Sequence, residues 1–189
     1  YIGWASKWAG LPLRVVMDNV TKVSFPVFSR LQSEEEKLTK AVNMNLKYLS
    51  LIIFPILIVM GYAAAPLATL IPKYQKWLPA IVPLYFYLYN SAWASFSTSL
   101  TNLLNATGNI KVTFKLMLMW TSLTRALFPA LSYKFGYLGV AYATAIVATS
   151  SIVTIYLAKK VVNFDFLASI RTSLFSSVLM VGFLFTLTF

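Results

Sequence analysis

A charged connector that runs directly into an uncharged stretch constrains this chain more than any other feature. Residues 25–40 read Phe-Pro-Val-Phe-Ser-Arg-Leu-Gln-Ser-Glu-Glu-Glu-Lys-Leu-Thr-Lys, and after Lys47 no charged residue appears until Lys73. About 20 apolar residues span a hydrocarbon core ~30 Å thick, so this pattern predicts a loop entering a transmembrane helix. The same alternation repeats along the chain. Only 11% of residues are charged and 59% are hydrophobic, against roughly a quarter charged in soluble domains. The runs are too long and too continuous for the short alternating strands of a membrane barrel. The expected class is therefore an all-α integral membrane protein, multi-pass, with the cell (cytoplasmic) membrane as its location.

Six spans are expected, roughly at 8–28, 48–71, 78–104, 112–131, 140–157 and 166–189. Pro12 suits a first turn and Pro26 a kink or exit. Ser33-Glu-Glu-Glu36 has the form of a capping box. Pro55 and Gly61 are expected bends in the second span, and Gly108 the pivot of the Asn105-Ala-Thr-Gly-Asn turn. Ala141, Ala143, Ala145 and Ala148 give the fifth span a small-residue surface for close packing. Basic residues concentrate in alternate loops. Arg30, Lys37, Lys40, Lys47, Lys111, Lys115, Lys159, Lys160 and Arg171 fall on one side, and Lys73, Lys76 and Lys134 on the other. By the positive-inside bias, the connector is cytoplasmic. This use of the bases also accounts for the net charge of +11 without nucleic acid as a partner. The chain has no Cys and no His, so disulfides, thiol chemistry and the commonest zinc and haem ligands are not expected, nor is a cofactor. It begins at Tyr1 and stops at Phe189 within an apolar run, which suggests a piece of a longer protein.

Charge inside the spans is the functional signal. Arg14, Asp18 and Lys22 recur every fourth residue and share one face of the first helix. A charge at the bilayer centre costs at least ~2.5–3.5 kcal/mol, so this face is not expected to meet lipid. Two readings stay open: lining of a polar cavity, or mutual neutralisation within the bundle. Asp18 is either an ion-coupling carboxylate or the acid of a charge pair. Arg125 is a third in-span cation, in a cavity or snorkelling to the interface. Along the third helix Ser91, Ser95, Thr98, Asn102 and Asn105 form a polar face, suited to sugar hydroxyls or to interhelical hydrogen bonds. Tyr85, Tyr87, Tyr89 and Trp93 are aromatic candidates for sugar stacking or for packing. Glu34, Glu35 and Glu36 are read as a solvated helix start, not a catalytic cluster.

The order Phe25-Pro-x-x-Ser-Arg-Leu-Gln32, Lys76-Trp77-x-Pro-Ala80, Asn105-Ala-Thr-Gly-Asn109 and Gly136-Tyr-Leu-Gly-Val-Ala-Tyr-Ala143 resembles polysaccharide flippases of the Wzx type. That superfamily also holds multidrug exporters, and the likeness is to its O-antigen, capsule and colanic-acid members. The chain departs from the pattern at Lys73-Tyr-Gln75, where relatives usually carry a glycine. The resemblance implies that residues 1–189 are the C-terminal lobe of a two-lobe transporter, a six-helix transmembrane bundle whose N-terminal partner lobe is missing here. It implies movement of undecaprenyl-pyrophosphate-linked oligosaccharides by alternating access, without catalysis. The implied partners are the lipid-linked oligosaccharide, membrane lipids, and the polymerase and glycosyltransferases of polysaccharide assembly. In that setting Arg14, Lys22 and Arg125 would hold the pyrophosphate, and Ser91, Ser95 and Asn102 the glycan. A cation-coupled drug exporter would instead want an acidic, aromatic cavity. A polyprenyl-dependent glycosyltransferase would want loop carboxylates with a metal, or a His.

Overall fold

The structure is a computed structural model that describes residues 1–186. It is helical throughout the described residues: α1 (Ile2–Leu31), α2 (Glu35–Leu70), a 3-10 segment (Pro72–Ala80), α3 (Ile81–Ala106), α4 (Ile110–Phe135), α5 (Tyr137–Thr149), α6 (Ile152–Lys159) and α7 (Phe166–Thr186). Three stretches are long and apolar enough to cross a membrane: Glu35–Leu70, Tyr137–Lys159 and Phe166–Leu184. Residues 187–189, the end of the expected sixth span, lie outside the described residues.

Helix α3 is the centre of the packing, in extensive contact with α1, α2, α4, α5 and α6, and its Phe96 meets Phe166 of α7 edge-on. Its buried side includes Leu84, Leu88, Phe96, Leu100 and Leu103. Helices α1 and α3 run parallel, because Ser91 donates to the Ala9 carbonyl at 2.8 Å while Asn102 donates to Thr21 Oγ1 at 3.0 Å, further along both helices. Helices α2 and α7 are also parallel. Asn43 accepts from the Asp165 backbone N–H and from Ser169 Oγ, both at 3.1 Å, and Ser50 pairs with Ser173 at 2.7 Å. The loops thus alternate between two ends. At one end, Trp4 stacks on Trp77 at 5.7 Å between centroids and Tyr1 meets both Trp77 and Tyr137. The opposite end carries the connector, the α3–α4 turn and residues 160–165.

Several boundaries differ from the sequence expectation. Helix α1 begins near the N-terminus, so Pro12 is an interior, buried residue and not a first-turn one, and the helix continues past Pro26 to Leu31. From Glu35 onward, the connector and the second span are one 36-residue helix. Leu38, Val42, Leu46, Leu49, Ile53 and Leu57 are all buried, so one apolar stripe passes from the polar half into the apolar half without interruption. The expected capping box is not formed. Glu34 is the N-cap, without a side-chain cap bond, and its carboxylate pairs with Lys37. The third span starts as α-helix only at Ile81, because residues 72–80, with Pro72 and Pro79, wind as 3-10 helix.

The α3–α4 turn is a Schellman closure. The Gly108 N–H reaches Asn105 O at 3.2 Å and the Asn109 N–H reaches Leu104 O at 2.8 Å, with Gly108 at φ 77. The α4–α5 connection is tighter still. Gly136, at φ 59 and ψ −138, stands alone between the two helices, in a region that a Cβ would strain. At Gly139 the helices approach so closely that a Cβ would lie 2.0 Å from the Leu131 carbonyl oxygen. Helix α4 is held mainly by this contact with α5 and by the edge of α3, and only Thr113 and Leu116 are fully buried along it.

The expected fifth span is broken. Helix α5 ends at Thr149 and α6 resumes at Ile152. Across the break Ser151 N–H bonds Ala148 O at 3.0 Å and Thr154 N–H bonds Ser151 O at 2.9 Å, three residues apart instead of four. Thr149 and Ser150 return their hydroxyls to the carbonyls of Ala145 and Val147. Such back-bonding bends and tightens helices.

Candidate functional site

Two polar surfaces stand out, one along α1 and one beside α3, joined by the Asn102–Thr21 hydrogen bond. The first is the charged stripe of α1. Its buried face, Ala5, Ala9, Pro12, Met17, Ser24 and Phe28, packs on α2 and α3. Arg14, Asp18 and Lys22 lie on the other side and are exposed. No ion pair joins them; among the described residues the one ion pair is Lys37 with Glu34. Lys7, seven residues before Arg14, extends the same face and is also exposed. The expected first span begins near residue 8, which leaves Lys7 outside it.

The second surface is a cleft of about 390 Å³ between α3, α4 and the α5–α6 break. From α3 it is lined by Asn90, Ser97, Thr98, Thr101, Asn102 and Asn105, with Ala94 between them. Met117 and Trp120 of α4 form one wall, and Val147, Ala148 and Ser151 the other. No charged residue lines it.

The structure divides the expected polar face of α3 between two tasks. Ser91 is buried and donates to the Ala9 carbonyl of α1, while fully buried Ser95 returns to the Ala92 carbonyl of its own helix. Neither lines the cleft. Asn102 does, and it also bonds Thr21 of α1, so it links the two surfaces. Arg125 is exposed on α4, a helix that packs on α5 and α3 rather than on α1, and it does not line the cleft. The aromatic candidates lie elsewhere. Tyr85 donates to the Gly61 carbonyl at 3.3 Å and, with Tyr89, lines an apolar groove between α2, α3 and α7. Tyr89 also pairs with Thr149 at 3.1 Å, and Trp93 packs edge-on to Tyr89. The cleft's aromatic wall is Trp120, which no spacing in the sequence connects to α3.

Asn90, Thr98 and Asn105 have no side-chain hydrogen-bond partner among the described residues, and all three point into the cleft. By contrast Ser97, also on the cleft wall, is buried and faces Thr154 at 3.4 Å. Among the described residues there is no group of three or more His, Cys, Asp or Glu side chains placed to hold a metal.

This arrangement is that of a helical membrane protein with polar surfaces set along its helices. Residues 1–82 match the model of a family described as polysaccharide biosynthesis protein. The match covers α1, α2 and the 3-10 segment, and with them the whole charged stripe. Neither a curated protein nor a solved structure matches the chain.

Proposed function

We propose that this chain is one lobe of a flippase, the C-terminal half of a Wzx-type transporter. It would carry undecaprenyl-pyrophosphate-linked oligosaccharide repeat units across the cytoplasmic membrane by alternating access. The observation that carries the reading is the α1 stripe: Arg14, Asp18 and Lys22 are exposed on the helix that matches polysaccharide biosynthesis proteins. Each such charge costs at least ~2.5–3.5 kcal/mol against lipid at the bilayer centre. A stripe without internal pairing is therefore suited to a wet cavity shared with a second lobe. A pyrophosphate needs a replacement for water as it crosses. A guanidinium supplies two parallel hydrogen bonds to phosphate oxygens, and an ammonium supplies charge. The chain's role is binding and conformational change without bond chemistry, alongside the polymerase and glycosyltransferases that make and use the substrate.

The test uses the full-length parent protein in a bacterial strain that lacks its own flippase but keeps matched polysaccharide machinery. Surface polysaccharide should return with the parent and fail with Arg14→Ala at equal expression. If the parent restored no export with several glycans, the reading would fall.

One observation favours a second reading, a cation-coupled drug exporter. Asp18 lies within a helix, exposed and without an ion pair among the described residues, and embedded carboxylates commonly serve as coupling groups. Resistance to cationic dyes that is lost in Asp18→Asn, with no polysaccharide export by the parent, would put that reading first.

A further inference from the structure

We propose that the cleft between α3, α4 and the α5–α6 break is a subsite for neutral sugar units, separate from the α1 stripe. This rests on the lipid-linked oligosaccharide reading above and divides that substrate between two surfaces.

The lining selects the ligand class. No cation or carboxylate faces the cleft, so nothing there compensates a charged ligand. Its polar groups are amides and hydroxyls, which both donate and accept, as sugar hydroxyls do. Asn90, Thr98 and Asn105 have no protein partner among the described residues although Asn90 and Asn105 are half-buried. Their amide and hydroxyl groups stay accessible in the cleft and free to bond a ligand, and within a membrane such groups are satisfied by protein, water or ligand. Trp120 adds a flat apolar face on which a sugar ring can lie, with the amides at its edge. The volume of about 390 Å³ falls within the ~300–1,000 Å³ usual for small-ligand sites.

The shape fits passage as well as binding. From Asn90 to Asn105 the lining covers 15 residue steps of α3, about 22 Å at 1.5 Å per residue. That is most of a hydrocarbon core ~30 Å thick. The wall opposite α3 includes Ser151, in the break between α5 and α6. The backbone there stays hydrogen-bonded in a tightened turn, with Ser151 N–H on Ala148 O and Thr154 N–H on Ser151 O, so this wall is shaped by a bend in the helix. A polar track and a tightened helical turn therefore meet at one place, and Asn102 joins the track to α1 through Thr21.

The experiment uses the full-length parent in lipid nanodiscs and, as probe, the repeat-unit oligosaccharide freed from its lipid carrier by mild acid. Saturation-transfer NMR should detect binding to the parent. Asn105→Leu and Trp120→Leu should each weaken it about tenfold, the scale of one lost hydrogen bond or stacking face. Trp120→Phe, which keeps a ring, should restore most of the signal. Thr98→Val, at an exposed position that folding tolerates, should cost severalfold. Absence of binding to the parent, or binding unchanged in the three disruptive variants, would overturn the proposal. Export in the flippase-deficient strain separates the two readings. If export needs Arg14 but tolerates the cleft variants, the cleft fails and the flippase stands. If the free oligosaccharide binds through the cleft but the parent restores no export, the flippase fails and the sugar site stands.

Discussion

The α1 stripe and the α3 cleft are both polar surfaces on apolar helices, yet they solve opposite problems. The stripe concentrates charge on the exposed side of a helix whose other side is packed. The cleft has no charged residue in its lining and opens between α3, α4 and the α5–α6 break, with amides and hydroxyls in place of ions. Charge is strong and salt-sensitive, and it recognises little beyond sign and geometry. Neutral donors and acceptors are weaker singly but discriminate by arrangement. A transporter whose cargo has an invariant charged part and a variable neutral part gains from keeping these surfaces apart.

Reversing charge on the stripe should have the largest effect. Arg14→Glu should lower surface polysaccharide roughly 10–100-fold, the value of a charge-assisted hydrogen bond of ~1.5–3 kcal/mol. A change within twofold at equal expression would show that the stripe is not where charge is read. Next comes Gly139→Val. Its side chain would meet the Leu131 carbonyl oxygen 2.0 Å away and push α4 outward. A stability loss of ~1–3 kcal/mol is expected from such overpacking, visible as a lower thermal unfolding midpoint. Because α4 carries Trp120, sugar binding should suffer while α1 stays in place. Ser91→Ala should cost only about 0.5–1.5 kcal/mol in the same unfolding assay, since its hydroxyl ties α3 to the Ala9 carbonyl. It should leave export nearly intact, and a large export defect would mean that Ser91 meets substrate. The smallest effect belongs to Lys37→Gln. The exposed Lys37–Glu34 pair is worth ~0–1 kcal/mol, and removal should shift neither surface.

The stripe was legible in the sequence because a four-residue repeat of Arg14, Asp18 and Lys22 survives any small error in helix ends. Gly108 was legible for a similar reason, since few residues adopt the left-handed turn it makes. The break at Ser150 and Ser151 was not. Thr149 and Ser150 bond back to the preceding turn there, but Thr101 and Thr144 do the same within unbroken helices, so residue type does not mark the place. The start of α2 was missed because hydropathy marks where lipid begins, not where a helix does; Leu38, Val42 and Leu46 continue the stripe under a polar exterior. On α3, periodicity placed Ser91, Ser95 and Asn102 together, but only packing decides which hydroxyl is consumed. Ser91 meets a neighbouring backbone carbonyl, and Thr98 meets open space in the cleft. Trp120 reaches the same place from another helix, a long-range fact that no local pattern contains.

The unbroken α2 has a mechanical consequence. At 1.5 Å per residue its 36 residues extend about 54 Å, well beyond the ~30 Å of a hydrocarbon core. The excess lies at the connector end, where Asn43 is tied to the start of α7. Pro55 removes one backbone hydrogen bond near the middle and offers a bend. Twenty residues separate Pro55 from Glu35, so a tilt of about 10° there sweeps the far tip by ~5 Å. The helix has the form of a lever with its fulcrum in the apolar half and its handle in the polar half. A partner grasping residues 35–47 would move the apolar half of α2, and with it the helices packed on it, from outside the apolar stretch.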